Sequence, residues 1–553
     1  MWRRSILGRR WISTSSVYIP GKEALSRPQK PFYTTTPIFY VNAAPHIGHL
    51  HSMVLADVLT RWNSFIRQNH PTFFTTGTDE HGLKVQQAAE RAGKEPREFV
   101  DLASQSFKEL ASAARISHNR FIRTTDEDNV VAAKALWSIL EEKGYIYKGR
   151  HSGWYCVSDE TFYPENQVTR RQDDGAMVSK ETGKIVEWTA EENYFFALSK
   201  VQKPLLRHLQ ENPNWIAPHT RWRDVEREVA LGLDDLSISR PVSRNSWGIR
   251  VPKDESQVMY VWFDALINYL AAAGFPWKSV QEFEDSPWPA DIHVIGKDIV
   301  RFHAVYWPAF LLAAGLPLPK QLVVHAHWTM DGSKMSKSSG NVVDPIYTME
   351  MFGADSVKFF LANDGYIDHD TVYSNSRILA RHNSELVNKY GNLVMRVCGH
   401  KFNIPRALGS SDPSVFDSMP QEIHDLHTVL REDTNTLLAR VQTHMDEYQT
   451  ARALGEVWNL ISTANRYLQE GAPWTYKQTT QEPDAIIKDA AEVARVSSII
   501  LQPFIPDIST KMLDRLAVDP SKRTADYAHY DADPTYGQKA NRKGDYPVSI
   551  IDA

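Results

Sequence analysis

FYTTTPIFYVNAAPHIGH, residues 32–49, changes character twice along its length. From Phe32 to Val41 it is β-branched and aromatic, which predicts a strand, and Asn42-Ala43-Ala44-Pro45 is small and turn-prone. From His46 to Phe65 the apolar residues Ile47, Leu50, Val54, Leu55, Val58, Leu59 and Trp62 recur at helical spacing, and Thr72 to Thr76 is again β-prone. A second cycle begins with the strand Ile292-His293-Val294-Ile295, turns at Gly296, continues as a helix through Ile299 to Leu312 and ends in a strand from Gln321 to His325. Two such βαβ halves far apart in one chain predict an α/β fold: a Rossmann-type parallel sheet interrupted by an insertion.

The insertion candidate, residues 149–235, is dense in Trp, Tyr, Gly and polar residues with poor helical period, and reads as a small β-rich module. After about residue 386 long amphipathic helices take over, as in SELVNKYGNLVMRV and ARALGEVWNLISTANRYLQ, which predicts an α-helical bundle with a polar tail from about Asp519. The expected division is therefore 1–22, 31–148, 149–235, 236–325, 326–385 and 386–553.

With 553 residues, 42% hydrophobic and 23% charged, the chain has a globular composition of several structural units, not that of a disordered or fibrous one. The longest apolar candidate, Trp307 to Leu318, is too short to span a bilayer. Two cysteines, Cys156 and Cys398, rule out a disulfide framework and fit a reducing compartment. Residues 1–22 carry Arg3, Arg4, Arg9, Arg10 and Lys22 with no acid, so without them the net charge of −5 becomes −10. The body thus lacks the balance of a non-specific nucleic-acid binder, and any RNA contact must use a local patch. The basic, Ser-rich leader has the composition of a mitochondrial targeting segment; a disordered basic tail is the plainer reading.

Three patterns carry chemistry. His46-Ile47-Gly48-His49 stands at a strand-to-helix junction, where unpaired helix N–H groups favour anions and two imidazoles at i and i+3 can donate to phosphate; a capping pair or half a metal site are the alternatives. Lys334 and Lys337, in DGSKMSKSSGN (331–341), can close on a polyphosphate and engage charge that grows on a leaving group, or can be a solvated basic turn. Trp262, Ala265 and Tyr269 share one helical face, His303 and Trp307 lie at i and i+4, and Ile38 and Tyr40 share a strand face. Aromatics around a small residue form an apolar slot suited to a thioether, although each stripe alone also reads as core.

HIGH (46–49) and KMSKS (334–338) together resemble the class I aminoacyl-tRNA synthetases. TTPIFYVNAAPHIGH, GTDEHG (77–82), YVWFDALINY (260–269), HVIGKDIVRFHAVYWPA (293–309) and HWTMDGSKMSKSSGNVVDP (327–345) are similar to the methionyl-tRNA synthetase family, over about residues 32–515. The resemblance implies that Ile38, Tyr40, Asp79, Trp262, Ala265, Tyr269, His303 and Trp307 bind methionine, with Asp79 on its ammonium. It implies ATP with Mg²⁺ held by His46, Gly48, His49, Gly296, Asp298, Lys334 and Lys337, of which His46, His49, Lys334 and Lys337 act on the reaction. It implies anticodon reading by Asn392, Arg396 and Trp474, where Arg396 alone would more commonly make a surface salt bridge and Trp474 could be a helix-terminal packing residue. The activity implied is a methionine–tRNA ligase of the mitochondrial matrix that forms methionyl-adenylate and transfers it to the 3′-terminal adenosine of tRNA(Met). A catalytically silent tRNA-binding paralogue and another HIGH-superfamily nucleotidyltransferase are the competing readings.

Two departures stand out. Leu266 replaces a proline common in the family, and the insertion has Cys156 and Asp159 where many members carry zinc-binding cysteine knuckles. No zinc is therefore expected, no editing domain, no membrane partner, and a monomer.

Overall fold

The computed structural model describes residues 17–19, 30–68, 70–156, 161–163, 165–180, 182–330, 333–334, 343–409, 413–477, 480–538, 540 and 546–552. The leader 1–22, apart from 17–19, therefore lies outside the described residues, as do Asp159 and Lys337. Two compact units emerge: one of residues 1–44, 73–108 and 118–322, the other of residues 45–72, 109–117 and 323–553.

The four expected strands form and are joined by two that the sequence did not suggest, Arg120–Arg123 and Ile216–Ala217, the latter inside the insertion candidate. β1 (Phe32–Tyr40), β2 (Thr72–Asp79), β3 (Arg120–Arg123), β4 (Ile216–Ala217), β5 (Ile292–Gly296) and β6 (Leu322–His325) make one sheet in the order β3-β2-β1-β5-β6-β4. β1 pairs with β5 in parallel, Thr34 opposite Ile292, although some 250 residues of chain separate them. β2 and β3 are also parallel, with Gly77 opposite Ile122. A Cβ at Gly77 would sit 1.9 Å from the Ile122 carbonyl oxygen, so that crossing admits glycine alone.

Among the described residues of the insertion, strands predominate as far as Phe196, with Ile146–Cys156 and Glu187–Phe196 paired antiparallel, but two helices, Gln202–Glu211 and His219–Leu231, occupy the later part of the stretch expected to be β-rich. Their apolar positions, Leu205, Leu209, Val225 and Val229, are buried one turn apart on otherwise charged sequence. The helix expected from Ile299 to Leu312 is also different. A 3₁₀ turn, Lys297–Ile299, precedes a π-helical turn, Phe302–Tyr306, and the regular α-helix is Trp307–Ala314, with Pro308 at its start.

In the second unit, helix Ile47–Ile66 packs through a buried ion pair. Asp57 meets Lys358 of the helix Ala354–Asp364 at 2.8 Å with both side chains fully buried, and also accepts from Arg61 and Ser117. Burial alone would raise the Asp57 carboxyl, but Lys358 and Arg61 hold it below the ordinary value. The helices Gln421–Asp446, Thr450–Gly471 and Glu482–Leu501 form the expected bundle.

Candidate active site

Four of the predicted slot residues meet in the first unit. The Tyr269 hydroxyl donates to His303 Nε2 at 2.7 Å, and His303 Nδ1–H donates to the Ile299 carbonyl at 3.0 Å. Burial pushes the His303 imidazole down to about 4, against the opposing pull of that carbonyl and of Asp298, so the ring is neutral near pH 7 and can accept from the phenol. Tyr269 lies 5.9 Å from Trp307, and Trp262 stands at 86° to His303 while stacking on Phe302 at 3.6 Å. Tyr269, His303, Trp307 and Ala265 are buried, whereas Trp262, Ile38 and Tyr40 are half-buried.

Sequence reasoning missed what braces this stack. Trp307 Nε1–H donates to His293 Nε2 at 3.3 Å, which puts the His293 proton on Nδ1, where it donates to Thr35 Oγ1 at 2.7 Å. His293 is fully buried and its imidazole is held well below its usual value by that burial. Alternation along β5 could have indicated that His293 faces one way, but not that an indole would be its donor.

Asp79 ends β2 and is 95% buried. Burial raises the Tyr269 phenol, and Tyr33 and, more weakly, the Asp79 charge add to that rise. Glu80, the next acid, is engaged elsewhere: Arg123 donates to its two oxygens at 2.6 and 2.9 Å. Gly296 closes β5, and Asp298 sits in the 3₁₀ turn that follows it.

His46 and His49 lie in the second unit, where His46 caps the helix Ile47–Ile66. The Gly48 N–H donates to His46 Nδ1, and the His46 N–H donates to His49 Nδ1, both at 3.1 Å, with the rings stacked 3.7 Å apart. The capping reading thus holds, and it leaves the phosphate reading open. A neutral imidazole that accepts at Nδ1 carries its proton at Nε2, so the cap sets both rings as Nε2 donors. No acid occupies the first turn of this helix. Lys334 lies on the two-residue strand Ser333–Lys334, paired antiparallel with Trp328–Met330; Lys337 is outside the described residues.

Asn392, Arg396 and Trp474 come together in the second unit. The Arg396 guanidinium lies 5.2 Å from the Trp474 ring and donates to the Asn465 carbonyl and Gln469 Oε1, while Asn392 Nδ2 donates to Asn465 Oδ1 at 3.3 Å. These partners are neutral oxygens, not the carboxylate of a surface salt bridge. Trp474 is 39% exposed, just after Ala472 ends its helix in the left-handed region. Asn465, the hub of the group, carried no signal in the sequence.

Cys156 is fully buried in an apolar cluster with Tyr163, Val168 and Val186, and Trp154 and Met177 pack against it. Among the described residues no group of three His, Cys, Asp or Glu side chains could hold a metal ion, and no helix is long and apolar enough to cross a membrane.

A model of the tRNA synthetases class I (M) matches residues 32–398, and one of the anticodon binding domain of methionyl tRNA ligase matches residues 420–538. The chain belongs to the class I (M) tRNA synthetases. Within this family it is 46% identical to a probable mitochondrial methionine–tRNA ligase of Neurospora crassa, over 95% of this chain and 86% of that one. It is 42% identical to the mitochondrial methionine–tRNA ligase of Homo sapiens, over 89% and 85%. The Mycobacterium tuberculosis methionyl-tRNA synthetase in complex with methionyl-adenylate superposes with a TM-score of 0.82 at 39% identity, covering 90% of this chain and 96% of that one. The parallel-sheet core and the helical anticodon domain are those of this family.

Proposed function

We infer that the chain is a methionine–tRNA ligase that activates methionine with ATP and esterifies the 3′-terminal adenosine of tRNA(Met). The observation that carries this reading is the neutral, buried Tyr269–His303–Trp307 stack, in the unit that also holds the buried Asp79. An uncharged aromatic slot takes a thioether, sulfur against ring edges contributing ~0.3–1.5 kcal/mol, and a buried carboxylate takes an ammonium ion. The M. tuberculosis relative, solved with methionyl-adenylate, supports the same assignment.

In this reading Ile38, Tyr40, Trp262, Ala265, Tyr269, His303 and Trp307 surround the methionine side chain and Asp79 binds its ammonium. The Nε2–H groups of His46 and His49 donate to ATP phosphates at the start of a helix whose dipole favours anions. Gly48, Gly296 and Asp298 serve the adenosine, and Lys334 and Lys337 the β- and γ-phosphates. The methionine carboxylate attacks the α-phosphorus, pyrophosphate leaves, and a ribose hydroxyl of the tRNA then displaces AMP. The protein supplies positioning and electrostatics, not a covalent nucleophile, and Mg²⁺ enters with ATP as part of the substrate. Arg396 and Trp474 present a guanidinium and an indole to the anticodon bases, with Asn392 beside them. Zinc has no part in this reading, since Cys156 serves as packing. The enzyme acts as a monomer in the mitochondrial matrix, directed there by residues 1–22.

The test is charging: the purified chain should attach labelled methionine to a tRNA(Met) transcript and leave a transcript with another anticodon nearly uncharged. Absence of charging by a chain that binds the tRNA would contradict the reading. Lys337→Ala should lower kcat and leave methionine affinity nearly intact, whereas a pure affinity loss would remove Lys337 from the transition state. Residues 1–30 fused to a reporter should carry it into mitochondria; cytosolic retention would overturn the location.

A further inference from the structure

We propose that Thr124, Asn129, Asp264 and His81 form a polar ring that braces the residues on either side of Asp79, and that they act as positioning residues that fix its carboxylate for the substrate ammonium; this rests on the assignment of that ammonium to Asp79. The ring can be followed bond by bond within the first unit. Thr78 and Glu80 flank Asp79, and one residue holds both: the Thr124 N–H donates to the Thr78 carbonyl at 3.1 Å, and the Glu80 N–H donates to Thr124 Oγ1 at 2.9 Å. The Thr124 carbonyl accepts from Asn129 Nδ2 at 3.2 Å, and the same amide group donates to Asp264 Oδ1 at 2.9 Å. Asp264 Oδ2 accepts from His81 Nδ1–H at 2.5 Å, and the backbone from His81 to Glu80 completes the circuit.

All four side chains are buried: Thr124 and Asn129 fully, Asp264 at 1% and His81 at 7% exposure. A second clamp acts on the same loop, where Trp247 Nε1–H donates to the Glu80 carbonyl and the Gly82 N–H to the Trp247 carbonyl. Asp264 lies between Trp262 and Ala265 on the helix Val261–Ala272. The ring therefore couples the loop that carries the ammonium-binding carboxylate to the helix that carries the thioether slot. Such a group must be held within ~0.5 Å of its productive place to bind well, and a hydrogen-bonded circuit with no solvated member resists displacement better than a loop held by packing. Asn129 belongs to none of the motifs, and its amide is the joint between the two halves of the ring.

The test uses Asn129→Leu and Thr124→Val in the full chain, with L-methionine compared with 4-(methylthio)butanoate, which keeps the thioether and carboxylate but lacks the ammonium. In pyrophosphate exchange either variant should raise the KM for methionine about tenfold, while the inhibition constant of the deamino analogue and the KM for ATP change less than about twofold. Thr124→Ser, which restores the hydroxyl, should bring the KM back. Equal weakening of both ligands, or no change in either, overturns the ring. If Asn129→Leu does not fold, Thr124→Val, which keeps the shape and removes one hydroxyl, decides alone. Failure of the wild-type chain to exchange with methionine would overturn the activity instead, so the two outcomes are distinct.

Discussion

His303 shows how much one buried ring constrains. Its Nδ1–H is spent on the Ile299 carbonyl, so Nε2 depends on the Tyr269 hydroxyl. Tyr269→Phe leaves that nitrogen buried without a donor and should cost about 1–3 kcal/mol in urea unfolding, with a higher KM for methionine. No loss in either would show the pair to be incidental. The same burial gives a pH dependence. With a folded value of about 4 against about 6.5 unfolded, the folded state binds fewer protons between those limits, so stability falls as pH drops from 6.5 towards 4, by up to about 3 kcal/mol from this ring. His303→Gln should flatten that fall, and an unchanged slope would assign it to other groups, such as His293 and His51, which burial also holds neutral. Spacing made Tyr269, His303 and Trp307 visible in the sequence. It could not reveal His293, Asn129 or Asp264, because their roles depend on partners 14 to 258 positions away.

Among elements, periodicity located the helix Ile47–Ile66 to within a residue of its start, because its apolar residues recur at 3.6-residue spacing. It gave no hint that Asp57 on this helix would be neutralised by Lys358, which lies 301 positions away. Lys358→Met should destabilise the chain by about 3–5 kcal/mol in urea unfolding, since it strands a buried carboxylate; a cost below about 1 kcal/mol would mean that Arg61 and Ser117 suffice. The stretch after Gly296 misled the reading for a different reason. From Ala304 to Ala314 the residues are all apolar, so periodicity does not separate the π turn from the α-helix, and Pro308 sits where an α-helix can begin.

For the molecule as a whole, the parallel-sheet core and the C-terminal helical domain were legible because sequence character changes from mixed strand and helix to long amphipathic helices, while the two compact units themselves part between residues 322 and 323. The segment after Asp519 was not legible, because its described residues form only two short 3₁₀ turns and are held by side chains: Arg495 donates to the Tyr527 and His529 carbonyls, and the Tyr530 hydroxyl donates to Asp489. The helical domain makes its own prediction. Trp474→Ala should raise the KM for tRNA about tenfold, as expected for ~1–3 kcal/mol of base stacking, and leave adenylate formation unchanged; the reverse pattern would make Trp474 a packing residue. The most direct test of the central claim is amino-acid-dependent exchange of labelled pyrophosphate into ATP by the full chain. Methionine should support rapid exchange while leucine and cysteine support little, and no exchange with methionine, or equal exchange with leucine, would contradict the account.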